Sequence, residues 1–242
     1  MDRATAAELR RRPLVLVDDL AAPRLRPADA HHFSRVLRLA PGQTVTLADG
    51  RGGWCEARFG VEPEPVGPVN VEPAPAPALV VGFVPVKGEA PEWYVQKLTE
   101  LGIDEIVPLV SERSVVRWDG PRAARAHERM VRAAREACLQ CRRLHLPRVA
   151  PVTDLVRFLS ERAGPAAGTQ RGVGAALADP DGAPPAAGLT TVVVGPEGGF
   201  SPDELALAPA VALPGHILRA ETAAVVAAGV LAGLRSGLLR PA

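Results

Sequence analysis

Residues Glu62–Pro77 read EPEPVGPVNVEPAPAP, with six prolines in sixteen positions. Proline fixes φ and removes a backbone donor, so this stretch is poor material for a central strand or a helix. It predicts an edge strand around Val66–Val71 followed by a stiff connector, and it divides the chain near residue 74. The two sides differ in rhythm. Before the divide the pattern is β: Leu14–Val17 is a short apolar strand, Thr44–Leu47 alternates, Asp49-Gly50 is a turn signal, and Gly53–Phe59 alternates again. Pro27 and Asp29 open one expected helix that runs to about Leu39 and stops at Pro41-Gly42. Residues 1–74 therefore read as a small barrel-like module.

After the divide, short apolar strands alternate with helices. Strands are expected at Leu79–Val84, Ile106–Val110, Ala175–Ala178 and Thr191–Val194. Helices are expected at Pro91–Leu101, Pro121–Leu144, Val152–Arg162, Pro202–Ala208 and Thr222–Leu239, the last with Thr222 as its N-cap. That alternation predicts an α/β domain with a parallel sheet over residues 75–242. With only 4% aromatic residues, the core must be built from Val, Leu, Ile and Ala.

The net charge of +1 hides an uneven distribution. Residues 1–58 carry ten arginines against seven acids, and 111–148 carry ten against four. Residues 59–110 hold two lysines and eight acids, and 149–242 six arginines and eight acids. Two basic blocks flank an acidic one, which suggests two basic surfaces. No apolar run reaches membrane-spanning length, and Leu14–Val17 is too short for a signal-peptide core, so the expected location is the cytoplasm. Three cysteines make no disulfide framework.

Two C-terminal segments carry the sharpest local signals. In TVVVGPEGGFSPDE (Thr191–Glu204) a buried strand runs into Gly195-Pro196-Glu197-Gly198-Gly199, and Ser201, Pro202 and Glu204 then have the order of a capping box. Glycines at the carboxyl end of a parallel strand let backbone approach a ligand, and they equally suit a tight strand–helix turn. The spacing fits neither a P-loop nor the dinucleotide fingerprint. In HILRAETAAVVAAGVLAGL (His216–Leu234) a polar break at Arg219–Thr222 precedes a nearly all-apolar helix. Such a helix must be buried all round, in a monomer core or at a subunit interface using Gly229 and Gly233.

Weaker signals have blander readings. Arg122, Arg125, Arg129 and Arg132 share one helix face, more simply a solvated face than a phosphate-binding stripe. Cys138-Leu139-Gln140-Cys141 has no second ligand pair, so no metal site is expected. His31-His32 has no partner motif.

Taken together, GPEGGFSPDE and ILRAETAA resemble the paired C-terminal signatures of the SPOUT methyltransferases. Lys87-Gly88-Glu89, Gln96-Lys97 with Glu100-Leu101-Gly102, Ser111–Ser114, and Glu136-Ala137-Cys138 with Gln140-Cys141 narrow the resemblance to the RsmE family of 16S ribosomal RNA uridine-N3 methyltransferases. HHFSRVLRLAPGQTVTLADG is similar to that family's PUA-like, barrel-type RNA-binding domain. The resemblance implies a trefoil-knotted α/β domain with a parallel sheet after a PUA-like β-barrel. It also implies a homodimer, S-adenosylmethionine as cofactor, no metal, and the 16S rRNA of the small subunit as substrate. Cofactor residues carried over by motif are Leu177, Ala178 and Asp179; Gly195, Pro196, Glu197, Gly198 and Gly199; and Leu218, Arg219, Ala220, Glu221, Thr222 and Ala223. Arg219 is the expected stabiliser of the uracil anion, with Glu197 or Glu221 as proton acceptor or structural support. Arg35, Arg38, Arg51, Lys87 and Arg113 are the expected RNA contacts. Two alternatives stay open: a SPOUT enzyme acting on another RNA target such as a ribose 2′-hydroxyl, and a non-catalytic RNA-binding assembly factor.

Overall fold

The structure, a computed structural model, describes residues 7, 9, 11–26, 29, 33, 39–88, 90–116, 118, 120–162 and 175–240. The helix expected from Pro27 to Leu39 and the pair His31-His32 lie almost entirely outside these residues. The chain forms two compact units. One comprises Met1–Pro75 with Arg135–Leu146, the other Ala76–Ala134 with Pro147–Ala242. The first unit is thus discontinuous: it takes in a segment sixty residues beyond the proline-rich divide.

In the first unit, β1 (Leu14–Leu16) pairs in parallel with β2 (Thr44–Ala48), and β2 pairs antiparallel with β3 (Gly53–Arg58). The segment expected as one edge strand is instead two two-residue strands, β4 (Glu64–Pro65) and β5 (Asn70–Val71), both paired with β3. Pro68 between them removes a donor, which interrupts the ladder. Val45, Leu47, Cys55, Ala57 and Phe33 fill the core together with Cys138, Leu139 and Leu144. Those last three belong to the far end of helix α2 (Gly120–Cys141) and the loop after it. Arg135 anchors this end by donating to the Asp29 carboxylate at 2.6 Å and to the Leu16 carbonyl at 2.8 Å. Its side chain and that of Asp29 are each 13% exposed.

Helix α2 was expected to reach Leu144 and stops at Cys141. Arg142 adopts a left-handed conformation, φ +60°, and the Arg143 amide donates back to the Cys138 carbonyl at 3.1 Å. This is the usual way to close a helix, but with arginine where glycine is the low-cost residue. A side chain in that region costs roughly 1–2 kcal/mol. Beyond it, the His145 ring makes a 3.0 Å hydrogen bond with the Glu72 carbonyl across Gly52 (φ +98°), where a Cβ would meet that carbonyl at 2.2 Å.

The second unit is a seven-stranded, wholly parallel sheet. Its order is β12 (Ala210–Val211), β10 (Ala176–Ala183), β11 (Thr191–Val194), β6 (Val80–Phe83), β7 (Glu105–Val110) and β8 (Arg148–Val149), with β9 (Thr153–Asp154) also on β7. Alternation sorts the side chains. Val81, Phe83, Val192 and Val194 face helices α1 (Pro91–Glu100) and α5 (Ala220–Ser236) and the first turns of α2. Val80, Val193 and Leu109 face α3 (Leu155–Arg162) and Phe200. Gly82 is required because Leu109 and Val193 close over it, at 2.7 and 3.2 Å from where a Cβ would lie. Among the described residues, no helix is long and apolar enough to cross a membrane.

Candidate active site

The site lies at the carboxyl ends of β10 and β11, where open parallel sheets expose backbone to a ligand. Strand β11 ends at Val194 and passes into Gly195-Pro196-Glu197-Gly198-Gly199. Gly199 has φ +66°, and the turn closes with its amide on the Pro196 carbonyl at 2.9 Å. Ser201 then caps the short helix α4 (Pro202–Leu205) in a complete capping box. Ser201 Oγ accepts from the Glu204 amide, and the Glu204 carboxylate accepts from the Ser201 amide at 2.9 Å. That carboxylate is buried, and its other oxygen accepts from the Glu112 amide at 2.8 Å. Arg113 donates to the Gly198 carbonyl, also at 2.8 Å. The loop after β7 is therefore tied to the glycine turn at Gly198 and to the helix cap behind it at Glu204.

A cavity of about 660 Å³ opens beside this turn. Ala178 and Asp179 wall it from β10; Gly195, Pro196, Glu197 and Gly199 from the turn; and Leu218, Arg219, Ala220 and Ala223 from the start of α5. These ten were expected at the site, and the fold brings them together from segments spread over more than forty residues. Four other expected residues do not wall the cavity. Leu177 is fully buried in the core beneath the sheet. Gly198 turns its carbonyl to Arg113. Glu221 and Thr222 lie on the first turn of α5, Glu221 half-buried and Thr222 exposed.

Thr222 is also not the N-cap. The helix begins at Ala220 with Arg219 as its cap residue, in extended conformation, and the Ala223 amide donates to the Arg219 carbonyl at 2.8 Å. The apolar run extends α5 backwards through Ala220, whose methyl is buried, so packing overrides the cap preference of threonine. Arg219 is exposed, and its guanidinium has no partner among the described residues.

Phe200, Leu213, His216 and Ile217 also line the cavity and were not anticipated. Phe200 carried a signal, being the one aromatic between the glycines and the cap. It packs against Gly195, where a Cβ would lie 3.0 Å from its ring. Leu213 had none, because its contribution depends on β12 pairing beside β10.

S-adenosylmethionine fits these walls. The volume lies in the range of small-molecule sites, which are mostly apolar with a few placed polar groups. Pro196, Phe200, Leu213 and Leu218 supply apolar surface, Gly195 lets the Phe200 ring pack against the turn, and Asp179 and Glu197 offer negative charge to a sulfonium and an ammonium.

Of the expected RNA contacts, Arg51 is exposed on the β2–β3 turn, its guanidinium 3.5 Å from Asp49. Lys87 is exposed beyond the end of β6. Arg113 is committed to the Gly198 carbonyl, a supporting position for the glycine turn. Arg35 and Arg38 lie outside the described residues. Cys138 is buried, its thiol pushed up to about 12 chiefly by burial, with Cys141 adding to the shift. Among the described residues no group of three or more His, Cys, Asp or Glu is arranged to hold a metal.

Residues 72–232 match the family model of an RNA methyltransferase domain, and residues 25–62 match that of an RNA methyltransferase PUA domain. The ribosomal RNA small subunit methyltransferase E of Mycobacterium bovis is 34% identical over 230 residues, 86% of this chain and 85% of that protein. The chain belongs to the ribosomal RNA small subunit methyltransferase E family. The Synechocystis member of this methyltransferase E family is 31% identical over 84% of the chain and 70% of its own length. The methyltransferase E of Neisseria gonorrhoeae, solved bound to S-adenosyl methionine, superimposes with a TM-score of 0.73 at 26% identity, covering 91% of this chain and 96% of that one.

Proposed function

We propose that the protein transfers a methyl group from S-adenosylmethionine to N3 of a uridine in the 16S rRNA of the small ribosomal subunit, acting in the cytoplasm as a homodimer. One observation carries the chemistry: at the carboxyl ends of β10 and β11, one mostly apolar cavity is lined by both Arg219, unpaired among the described residues, and the carboxylate-bearing Glu197. When bound, the cofactor supplies an electrophilic sulfonium methyl.

Uracil N3 must lose its imide proton, which places negative charge on O2 and O4. Arg219 stabilises that charge from the cavity wall with its guanidinium. Glu197 accepts the proton, directly or through a water. N3 then bonds to the methyl carbon as the sulfonium bond breaks, leaving S-adenosylhomocysteine. Glu221 instead complements the positive N-terminal end of α5. Asp179, Pro196, Phe200 and Leu218 hold the cofactor, and Arg113 and Glu204 hold the turn that holds it.

The homodimer reading draws on α5. Val225, Val226, Gly229 and Ala232 are only half-buried within one chain, and nothing lies within 4 Å of a Cβ built on Gly229. Gly233 does not share this openness, because Leu239 of the same chain covers it at 2.6 Å.

The test is methyl transfer to small subunits from a strain lacking the modification, followed by digestion and nucleoside identification. N3-methyluridine is the expected product. A ribose-methylated nucleoside would replace the base reading, and absence of S-adenosylmethionine binding would leave a non-catalytic RNA-binding protein.

A further inference from the structure

Within the first unit, a second cavity of about 630 Å³ opens beside the last turns of α2. Pro13, Leu39 and Leu139 give it apolar walls, and Glu136, Gln140 and Arg142 line it with polar ends. None of these three polar side chains has a hydrogen-bond or ion-pair partner among the described residues. Arg142 is the informative one. It is the one non-glycine residue with positive φ among the described residues. Ending the helix there needs only the left-handed turn, which glycine adopts without strain. Arginine adds nothing to that turn except its side chain, and Arg142 lines the cavity. Strain kept at a position where a glycine would serve points to use of the side chain.

The lining selects the ligand. A phosphate site would not carry Glu136 on its wall, and a purely apolar partner would make no use of Arg142, Glu136 and Gln140. A nucleobase has flat apolar faces and a polar edge. Guanine presents acceptors at O6 and N7, which match a guanidinium, and donors at N1 and N2, which match a carboxylate. RNA is read by proteins chiefly through such unstacked bases.

We infer that this cavity is a binding site for an unstacked guanine of the RNA, read by Arg142 and Glu136 with Gln140 beside them. The inference deepens the RNA-directed reading above and rests on it for the identity of the polymer.

The probe is a labelled ten-nucleotide uridine strand carrying one central guanosine, compared by anisotropy with the all-uridine strand and with inosine in the central position. The full-length protein should prefer the guanosine strand to the uridine strand by about tenfold, the scale of one well-made bidentate contact. Inosine, lacking the N2 amino group, should lose part of that preference, and Glu136→Gln should no longer separate inosine from guanosine. Arg142→Gly should abolish the preference while its melting temperature stays level or rises, since the turn is relieved. A melting temperature that falls, or a preference that survives in Arg142→Gly, overturns the proposal, as does equal binding of the three strands by the unaltered protein. Calorimetry with S-adenosylmethionine separates the two readings. Unchanged cofactor affinity in Arg142→Gly is expected, whereas no cofactor binding by the unaltered protein would remove the methyl-transfer reading and leave the strand preference standing.

Discussion

Arg219 is exposed, unpaired among the described residues, and at the wall of an apolar cavity. Arg219→Ala should lower single-turnover methyl transfer roughly a hundredfold, the scale for losing one preorganised donor to a developing anion. Its effect on subunit binding and on the salt dependence of that binding should be small, because phosphate contacts are shared among many cations. Filter binding across a salt series beside single-turnover transfer checks both; lost binding with a retained saturated rate would make Arg219 a docking residue. The glycine turn yields a paired prediction. Gly195→Val pushes on the Phe200 ring and should weaken S-adenosylmethionine on the order of tenfold, as overpacking by 1–3 kcal/mol does. Gly198 has an ordinary φ and only Arg113 Cδ at 3.8 Å from a built Cβ, so Gly198→Ala should bind the cofactor nearly as well. Calorimetry that ranks the two the other way would mean that the turn contacts the cofactor through Gly198. The sequence places both glycines in one loop, and only the position of Phe200 singles out Gly195.

At the scale of elements, the four residues of α4 are too few to stand by propensity alone. Their capping box is what places the turn. Glu204 serves two amides, one on its own helix and one on the loop after β7. Glu204→Ala should cost about 1–3 kcal/mol, the penalty of stranding buried donors. It should also weaken cofactor binding through the loosened turn, with Glu204→Gln losing less of both; thermal melts and calorimetry on the pair decide whether the carboxylate positions the site. At the end of α2, burial keeps the Cys138 thiol protonated far above its ordinary range. The sign follows: the native state holds this proton more tightly than the unfolded chain does. Its contribution to stability is full at neutral pH, begins to fall only above the ordinary thiol range, and is lost as pH rises toward about 12. Iodoacetamide at pH 8.5 should spare Cys138 in the native protein and modify it in denaturant. Modification of the native protein at the unfolded rate would contradict this burial.

For the whole molecule, Gly229→Glu is the sharper test of the dimer. It meets open space within the chain and would place a charge on the half-buried face of α5. Sedimentation should show the unaltered protein as a dimer at micromolar concentration and the variant as a folded monomer. A variant that remains dimeric would put the interface elsewhere. Gly233→Leu is expected instead to destabilise the chain itself, through the collision with Leu239.

Local chemistry made much of this legible before any coordinates. Six prolines in sixteen residues are poor material for a central ladder, so a break in the sheet pattern could be read from EPEPVGPVNVEPAPAP; that Arg135–Leu146 joins the residues before it could not. Short apolar runs between amphipathic stretches can only be buried parallel strands, and Ser201-Pro202-Asp203-Glu204 announced its own cap. The motifs GPEGGFSPDE and ILRAETAA named the segments that meet at the cavity. Contacts between distant segments were not legible, because no local preference encodes them. Leu213 reaches the cavity only because β12 pairs beside β10, and Arg113 is spent on a carbonyl eighty-five residues away. The return of Arg135–Leu146 to the first unit depends on Cys138, Leu139 and Leu144 finding a core there. The start of α5 at Ala220 was decided by burial of that methyl over the capping preference of Thr222. The sequence determined which segments become strands, helices and turns; packing among them decided which side chains face the cavity, since a residue's neighbours across the fold exist only once it is folded.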